Sequence, residues 1–410
     1  MTNRGAKTLN FFSICFTFFV DYLCWSIVFP IFAPYFIDVN NRLFPASISV
    51  ETRTMILGFF LMIFSLGQFL GAPLIGEYGD KHGRRKALLI SVSMTVFGLA
   101  LSAYCIEIKN LFFLFIGRFI TGVFAGSTTI CFACTSDLSG DEKEKARYFG
   151  ILSMIAGIAF IMGAFAGGKL SDRSIYASFS ASLPLWVAAG FTLANLLFIL
   201  FFFRETTHFD PKLRFHILES FTNIKVALKT EKVKEIYIVY FLFFTAWTLF
   251  FQFIPVLSIE KFSFTNSNIG DLALFMGLCW AAGSGYLNKY FIHKFKTTHV
   301  LELCLIGFTA FCFLVVFPKH LYSVLGIIGV CVVCGSIAWP LCVGMISNAA
   351  PEKMQGKIIG LSQSVQSLAM AIGPAIGGIA FSSSSQLPFF IAAAMSLFSV
   401  VIYYFILKPR

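Results

Sequence analysis

Charge is what this sequence has least of. Only 12% of its 410 residues are Asp, Glu, Lys or Arg, about half the share usual in soluble domains. A chain with so little charge and 58% hydrophobic residues has more apolar mass than a soluble core can hide, so much of it is expected to face lipid. Acidic residues are the scarcer sign, 20 against 31 basic, for a net charge of +11. No basic stripe interleaved with exposed aromatics accompanies that excess, which argues against a nucleic-acid partner. Also missing are a phosphate-binding Gly-Lys-Ser/Thr loop, a His-rich metal cluster and a nucleophile motif in a plausible context. These absences argue against ATP-driven transport, against an enzyme, and against a metal or other cofactor. The 11 Cys lie mostly inside apolar runs. Cys131/Cys134 and Cys331/Cys334 are C-x-x-C pairs without a nearby His, so small side chains filling helix contacts explain them better than metal ligands.

What is abundant is long apolar runs, with 52 Phe among their residues. Crossing a core of about 30 Å takes roughly 20 residues at about 1.5 Å each. Twelve segments qualify: 9–37, 53–76, 86–106, 111–137, 147–170, 183–204, 235–259, 267–292, 298–317, 320–347, 355–381 and 386–407. Asp21 interrupts the first, which is too long for a signal-peptide core and reads as an uncleaved helix. With the N-terminus inside, cytoplasmic segments hold 23 of the 31 Lys and Arg, outer segments hold 7, and Arg118 lies within the fourth span. That bias places both termini in the cytoplasm. The longest polar stretch, 205–234, becomes a basic cytoplasmic linker, part of which is expected to lie as an amphipathic helix on anionic headgroups. It separates an N-terminal six-helix half, 1–204, from a C-terminal half, 235–410.

The halves repeat. A shift of 210 residues brings Gly150 onto Gly360, Ala159 onto Ala369, Gly163 onto Gly373, and Gly167-Gly168 onto Gly377-Gly378, with Ala164 facing Pro374. Glu142, Lys143 and Arg147 fall on Glu352, Lys353 and Lys357. Both halves start and end inside, so they are parallel repeats, an arrangement in which transporters often bind substrate between the halves. The glycines of spans five and eleven, with Pro374, are expected to serve close helix packing and the sliding or bending that transport needs.

At this point the residues resemble those of the major facilitator superfamily over essentially the whole chain. The resemblance is to its drug–proton antiporter group, which includes bacterial tetracycline exporters. The strongest match is Gly76-Glu77-Tyr78-Gly79-Asp80-Lys81-His82-Gly83-Arg84-Arg85-Lys86, similar to the family's G-x-L-a-D-r-x-G-r-k loop with Tyr78 in place of Leu. Gly117-Arg118 with Gly122 matches in span four, and Arg204-Glu205-Thr206 after span six resembles a family Pro-Glu-Thr. Asp21 followed by Pro30 resembles the first helix of the exporter branch. Gly163 to Gly168 looks like the antiporter motif G-P-x-x-G-G without its Pro. The resemblance implies an all-α fold of twelve transmembrane helices in a bacterial inner membrane, functional as a monomer. It implies proton-coupled movement of a small-molecule substrate by alternating access. Export of a drug-like or amphiphilic compound leads; proton-driven uptake of a metabolite, or a receptor on the same fold, are the alternatives.

Two deep charges stand out. Asp21 is expected roughly 18 Å from the inner boundary and Arg118 roughly 10 Å from the outer one, hence at similar depth. Both are expected to line the cavity and to interact. Desolvation favours a neutral carboxyl and a nearby guanidinium an ionised one. Alternation between those surroundings would load and release a proton; a static structural pair is the other possibility. Arg118, Gly122, Ala125 and Thr129 share a helix face, suited to a cavity wall or a tight contact. Gly76 and Gly83 are expected in tight turns. Asp80, Arg84 and Asp137 are expected to form a cytoplasmic charge cluster, with Asp80 also able to face the start of span eleven near Gly356. The resemblance implies that this cluster latches the inner side; the basic residues alone would serve as topology signals. Trp247, Gln252, Trp280, Trp339, Gln363 and Gln366 are candidate substrate contacts, since aromatic walls with a few amides suit an amphiphile. Asp271, at an outer end, is expected to be solvated.

Overall fold

The computed structural model describes residues 3–39, 43–45, 47–206, 234–349 and 355–407, and among these every regular element is helical. The linker expected at 205–234 lies almost wholly outside the described residues, as do the repeat partners Glu352 and Lys353. Eleven helices are long and apolar enough to cross a membrane. In the order of the chain they are span 1 (Lys7–Ile37), span 2 (Val50–His82), span 3 (Arg84–Glu107), span 4 (Leu111–Leu138), span 5 (Arg147–Leu170), span 6 (Leu183–Phe202), span 7 (Lys234–Phe262), span 9 (Thr297–Leu314), span 10 (Leu321–Ile346), span 11 (Ser362–Ser383) and span 12 (Leu387–Phe405). Span 8, expected at 267–292 as one α-helix, is instead a helical course in three pieces: Asn266–Ala281, a π-helical turn at Ala282–Leu287, and Asn288–Lys294. The run Ala281-Ala282-Gly283-Ser284-Gly285 offers weak helix formers there. Gly283 lies so close to span 10 that an added Cβ would come within 3.1 Å of the Val333 carbonyl. The wider π turn accommodates that approach.

Two other spans are interrupted. Span 1 changes course at Val28, between Asn3–Ile27 and Phe29–Ile37, where Pro30 begins the second piece and Pro34 lies inside it; each Pro removes a backbone donor and crowds the preceding turn. Span 4 breaks between Phe124 and Ser127. The face expected to run from Arg118 through Thr129 therefore ends at the break. Arg118 and Gly122 are buried, Ala125 is half-buried and Thr129 is exposed. Gly122 lies in a tight contact, since its missing side chain would fall on the Phe64 carbonyl of span 2.

The shift of 210 residues is reproduced in the packing. Gly163 and Gly167 of span 5 lie against Ser26 and Ile27 of span 1, and their counterparts Gly373 and Gly377 of span 11 lie against Thr245 and Phe253 of span 7. Spans 1 and 7 are themselves equivalent in the two repeats. The third pair crosses between the repeats. A Cβ on Gly168 would stand 2.6 Å from the Cα of Gly270 in span 8, and one on Gly378 would stand 2.9 Å from the Cα of Gly58 in span 2. Only hydrogen fits in these seams, so backbones touch there.

Because the Gly122 site is walled by the backbone of span 2, Gly122→Leu should cost about 1–3 kcal/mol through overpacking. Gly190 has open space where its side chain would be, so Gly190→Leu should be close to neutral. Thermal unfolding of the two detergent-purified variants checks the contrast; equal melting temperatures would mean the seam yields.

Candidate substrate cavity and gates

A cavity lies between the first six spans and the last six. Its walls come from Trp25, Val28, Phe29, Phe32 and Ala33 of span 1, Leu61, Phe64 and Ser65 of span 2, Arg118 of span 4, Phe251, Gln252 and Pro255 of span 7, and Met370 of span 11. It is open on one side, and the space between its walls, mouth and adjoining solvent included, is about 650 Å³. Arg118 is its only charged wall residue and is only 6% exposed. The rings of Phe32 and Phe64 face its guanidinium, with centroids at 5.2 and 4.5 Å. Nε of Arg118 is buried without a hydrogen-bond partner. Aromatic faces recover part of the hydration such a cation gives up.

Asp21 is not part of this wall, and among the described residues no ion pair joins it to Arg118. The expected contact between the two is absent from this geometry. Asp21 faces the hydroxyl of Ser127, nine residues beyond Arg118 on span 4, or roughly 13 Å along the helix. On span 1 it precedes Phe32 by eleven residues, roughly 16 Å. One oxygen of the Asp21 carboxyl is buried and unpartnered. Nearby, Thr17 donates to Asn195 of span 6 at 3.0 Å, and Cys24 contacts Thr192 at 3.2 Å.

The three candidate tryptophans gather on the last six spans. Trp247 and Trp280 meet edge to face at 5.6 Å, and Trp280 and Trp339 at 5.5 Å. Phe160 of span 5 reaches Trp280 at 6.0 Å and Phe251 at 5.9 Å, which carries the aromatic cluster across to the first six spans. Of the amides, Gln252 lines the cavity. Gln366 instead accepts from the Tyr240 hydroxyl at 3.0 Å, and Trp339 donates to that hydroxyl at 3.2 Å. Gln363 is exposed, away from the group it was expected to join. Phe32, Phe64 and Trp25 are cavity residues with no sequence signal, since aromatic residues occur throughout the spans.

At one end of the bundle the loop motif is almost entirely helical. Gly76 lies inside span 2 rather than in a turn, and its missing side chain faces the Thr129 methyl at 3.8 Å. Gly83 alone makes the reversal, at φ 99°, a conformation that glycine adopts freely. Arg84 follows and pairs with Asp80 at 2.5 Å and Asp137 at 3.3 Å. Residues 350–354, which precede span 11, are outside the described residues, so the expected approach of Asp80 to that helix start is not part of this geometry. Glu205 was known only as a motif residue; it caps span 3. Its carboxylate accepts from the backbone N–H of Arg84 at 2.8 Å and of Arg85 at 3.1 Å. An acid at a helix N-terminus satisfies free donors and complements the dipole. At the same end Lys7 donates to Glu144 at 2.9 Å. The Gly140 N–H, Lys7 and Tyr148 together push the Glu144 carboxyl down to about 2.

At the opposite end the Gly168–Gly270 seam continues into polar contacts. Lys169 pairs with Asp271 at 2.8 Å and donates to Ser267 at 2.7 Å, so Asp271 is tied rather than simply solvated. Asn266 donates to the Ser171 hydroxyl at 3.0 Å, and the Ser267 N–H donates to Asp172 at 2.9 Å. Burial opposes ionisation of Asp172, but hydrogen bonds from Thr265, Ser174 and Ser267 outweigh it and hold its carboxyl below the usual range. Among the described residues no group of His, Cys, Asp and Glu could hold a metal ion.

Two helical repeats facing each other across an apolar cavity define an integral membrane protein of the solute-transporter class. The family model for the Major Facilitator Superfamily matches residues 14–335 and 285–410. The chain belongs to the Major Facilitator Superfamily, and it is a transporter with drug-resistance relatives. The tetracycline resistance protein, class H, of Pasteurella multocida is 26% identical over 341 residues, covering 80% of each chain. Multidrug resistance protein 2 of Bacillus subtilis (strain 168) is 24% identical over 352 residues, covering 82% of each. Among solved structures, a D-xylose-proton symporter superposes with a TM-score of 0.78 at 15% identity over 98% of both chains. The human organic anion transporter MFSD10 (TETRAN) gives 0.72 at 17% identity over 97% of this chain and 99% of that one.

Glu205→Gln keeps the shape of the cap and removes its charge. About 0.3–1 kcal/mol of stability should be lost at low ionic strength, less in high salt. Melting curves of wild type and variant at two salt concentrations check this; a salt-independent difference would exclude the charge–dipole account.

Proposed function

We propose that this protein is a proton-coupled secondary transporter that exports a small amphiphilic organic compound by alternating access between a half formed by 1–204 and a half formed by 235–410. The carrying observation is the Asp21 carboxyl, which lies in a membrane-spanning helix with a buried, unpartnered oxygen and, among the described residues, no ion pair. Ionised carboxylates inside a membrane are costly unless paired or wet, and such residues mark ion and proton pathways. A carboxyl that meets water only in one state of the transporter takes up or releases its proton there. The likeness to tetracycline and multidrug resistance proteins favours export. The excess of Lys and Arg at the end bearing Arg84 favours a cytoplasmic placement of that end, of both termini and of the linker. In this arrangement the Gly58–Gly378 and Gly168–Gly270 seams and the Lys169–Asp271 pair close the outer side, and Asp80, Arg84 and Asp137 belong to the inner gate. The protein works as a monomer, with lipid and the substrate as its partners.

Inside-out vesicles carrying the protein, tested with tetracycline and a panel of amphiphiles, should accumulate a substrate when the lumen is made acid. Asp21→Asn should abolish the gradient-driven component and leave substrate binding intact. Full proton-driven flux in that variant would remove Asp21 as the carrier; accumulation only under the reversed gradient would indicate uptake. Asp80→Asn frees Arg84 from one of its two acids and should shift the protein toward the state open to the cytoplasm. Labelling of Gln252→Cys by a membrane-impermeant thiol reagent, applied from the cytoplasmic face, should then be faster; an unchanged rate would count against the latch.

A further inference from the structure

We propose that the cavity takes organic anions, with Arg118 as the group that binds the anionic head and the surrounding aromatic rings as the bed for a flat apolar body. This deepens the transport reading above and rests on it. Three observations carry it. First, Arg118 is more than nine-tenths buried, yet no side chain or backbone acceptor among the described residues meets its guanidinium. Second, the remaining cavity wall contains no acid; its polar side chains are Ser65 and Gln252, both neutral. Third, the rings of Phe32 and Phe64 lie 5.2 and 4.5 Å from the guanidinium carbon. Aromatic rings carry no oxygen or nitrogen acceptor, so the N–H groups still need acceptors.

A guanidinium stays charged under all ordinary conditions and presents a planar fork that fits a carboxylate or sulfonate through two parallel hydrogen bonds. Buried without a counter-ion, it makes the cavity positive and therefore repels cationic amphiphiles. The acid one might expect to neutralise it, Asp21, faces Ser127 beyond the break in span 4 and lies outside the cavity wall. An arriving anion supplies the missing partner. Gln252, on the opposite set of spans, faces the same space and can hydrogen-bond the head or a second polar group of the ligand. A substrate held by Arg118 on one side and by Phe251, Gln252 and Met370 on the other would bridge the two halves.

The test uses equilibrium binding to the purified full-length protein, without any gradient, with four probes of similar shape: 1-naphthoate, naphthalene-1-sulfonate, neutral 1-naphthamide and 1-naphthylmethylammonium. Each anion should bind about tenfold or more tightly than the amide, the scale of one charge-assisted hydrogen-bond pair, and the cation most weakly. Arg118→Gln should lose that preference while retaining amide binding. Arg118→Lys, which keeps the charge but not the fork, should retain only part of it and guards against a folding defect in the first variant. Equal binding of anion and amide, preference for the cation, no binding of either anion, or an unchanged preference in folded Arg118→Gln would each overturn the assignment. Flux of the same probes in proteoliposomes is read separately. Anion-selective binding without proton-driven flux would refute the transport reading and leave the site standing, whereas proton-driven flux of cations with no anion binding would do the reverse.

Discussion

The cost of placing a charge in an apolar slab governs most of what is distinctive here. The membrane-spanning helices can carry few ionised groups, and each has been given a particular answer to that cost. Arg53, fully buried, donates to the carbonyls of Asp38, Pro45 and Ile48 and thereby ties the connection between spans 1 and 2. Lys261 reaches the carbonyls at the end of span 9, including that of Pro318 at 3.3 Å. Arg84 is shared between two acids. Arg118 is an exception, as is Asp21: aromatic rings cover the Arg118 guanidinium, but its buried Nε has no acceptor. Stability alone would favour an apolar residue at that position, so a charge retained there at structural cost directs attention to the cavity.

The same constraint explains the reliance on glycine. In lipid, helices gain little from hiding apolar surface against one another, and association depends on how closely backbones approach. Spans 5 and 11 each present two glycines to a helix of their own repeat and a third to the other repeat. The contacts within a repeat join spans 1 and 5 and spans 7 and 11 at close range. The contacts between repeats include two close backbone approaches, Gly168–Gly270 and Gly58–Gly378, beside aromatic contacts such as Phe160–Phe251 and Phe160–Trp280. A backbone seam can separate without unpacking either repeat, which is the mechanical property that rocking of one half against the other requires. The polar strap from Lys169, Ser171 and Asp172 to the start of span 8 adds an electrostatic component to one of these seams, and the corresponding seam at Gly58 and Gly378 shows no such strap among the described residues.

Much of this was visible in the residue order, and the parts that were not share a physical cause. Span number follows from hydropathy because a hydrocarbon slab imposes a minimum length. Gly168 and Gly378 were recognisable as a pair because repeated backbone contacts demand the same small residue at the same place. The cluster of Asp80, Arg84 and Asp137 was readable because charges at helix ends are few. Depth was not readable. Counting residues from the first apolar position set Asp21 and Arg118 level, whereas the side chain that Asp21 meets is Ser127, beyond the break in span 4. The identity of the cavity wall was equally hidden: with 52 Phe in the chain, neither Phe32 nor Phe64 differs in sequence from the many rings that face lipid. Glu205 was matched as a motif residue, but its partner, the start of span 3, is more than a hundred residues away.

The separation of Asp21 from Arg118 bears on how a proton and a substrate can be coupled. In contact, opposite charges at an effective dielectric constant of 20 attract by about 4 kcal/mol, and among the described residues Asp21 and Arg118 make no such contact. If Asp21 carries the proton and Arg118 holds the substrate, the coupling has to pass through structure. Span 1 is the element both sites share: Asp21 lies before the break at Val28, and Phe32, which faces Arg118, lies after it. Span 4 repeats the arrangement, with Arg118 before its break at Ala125 and Ser127, which faces Asp21, after it. Each interrupted helix thus has one segment at the acid and the other at the cation. A change in packing at either site can be transmitted as a change in angle between segments, without the two charges ever meeting.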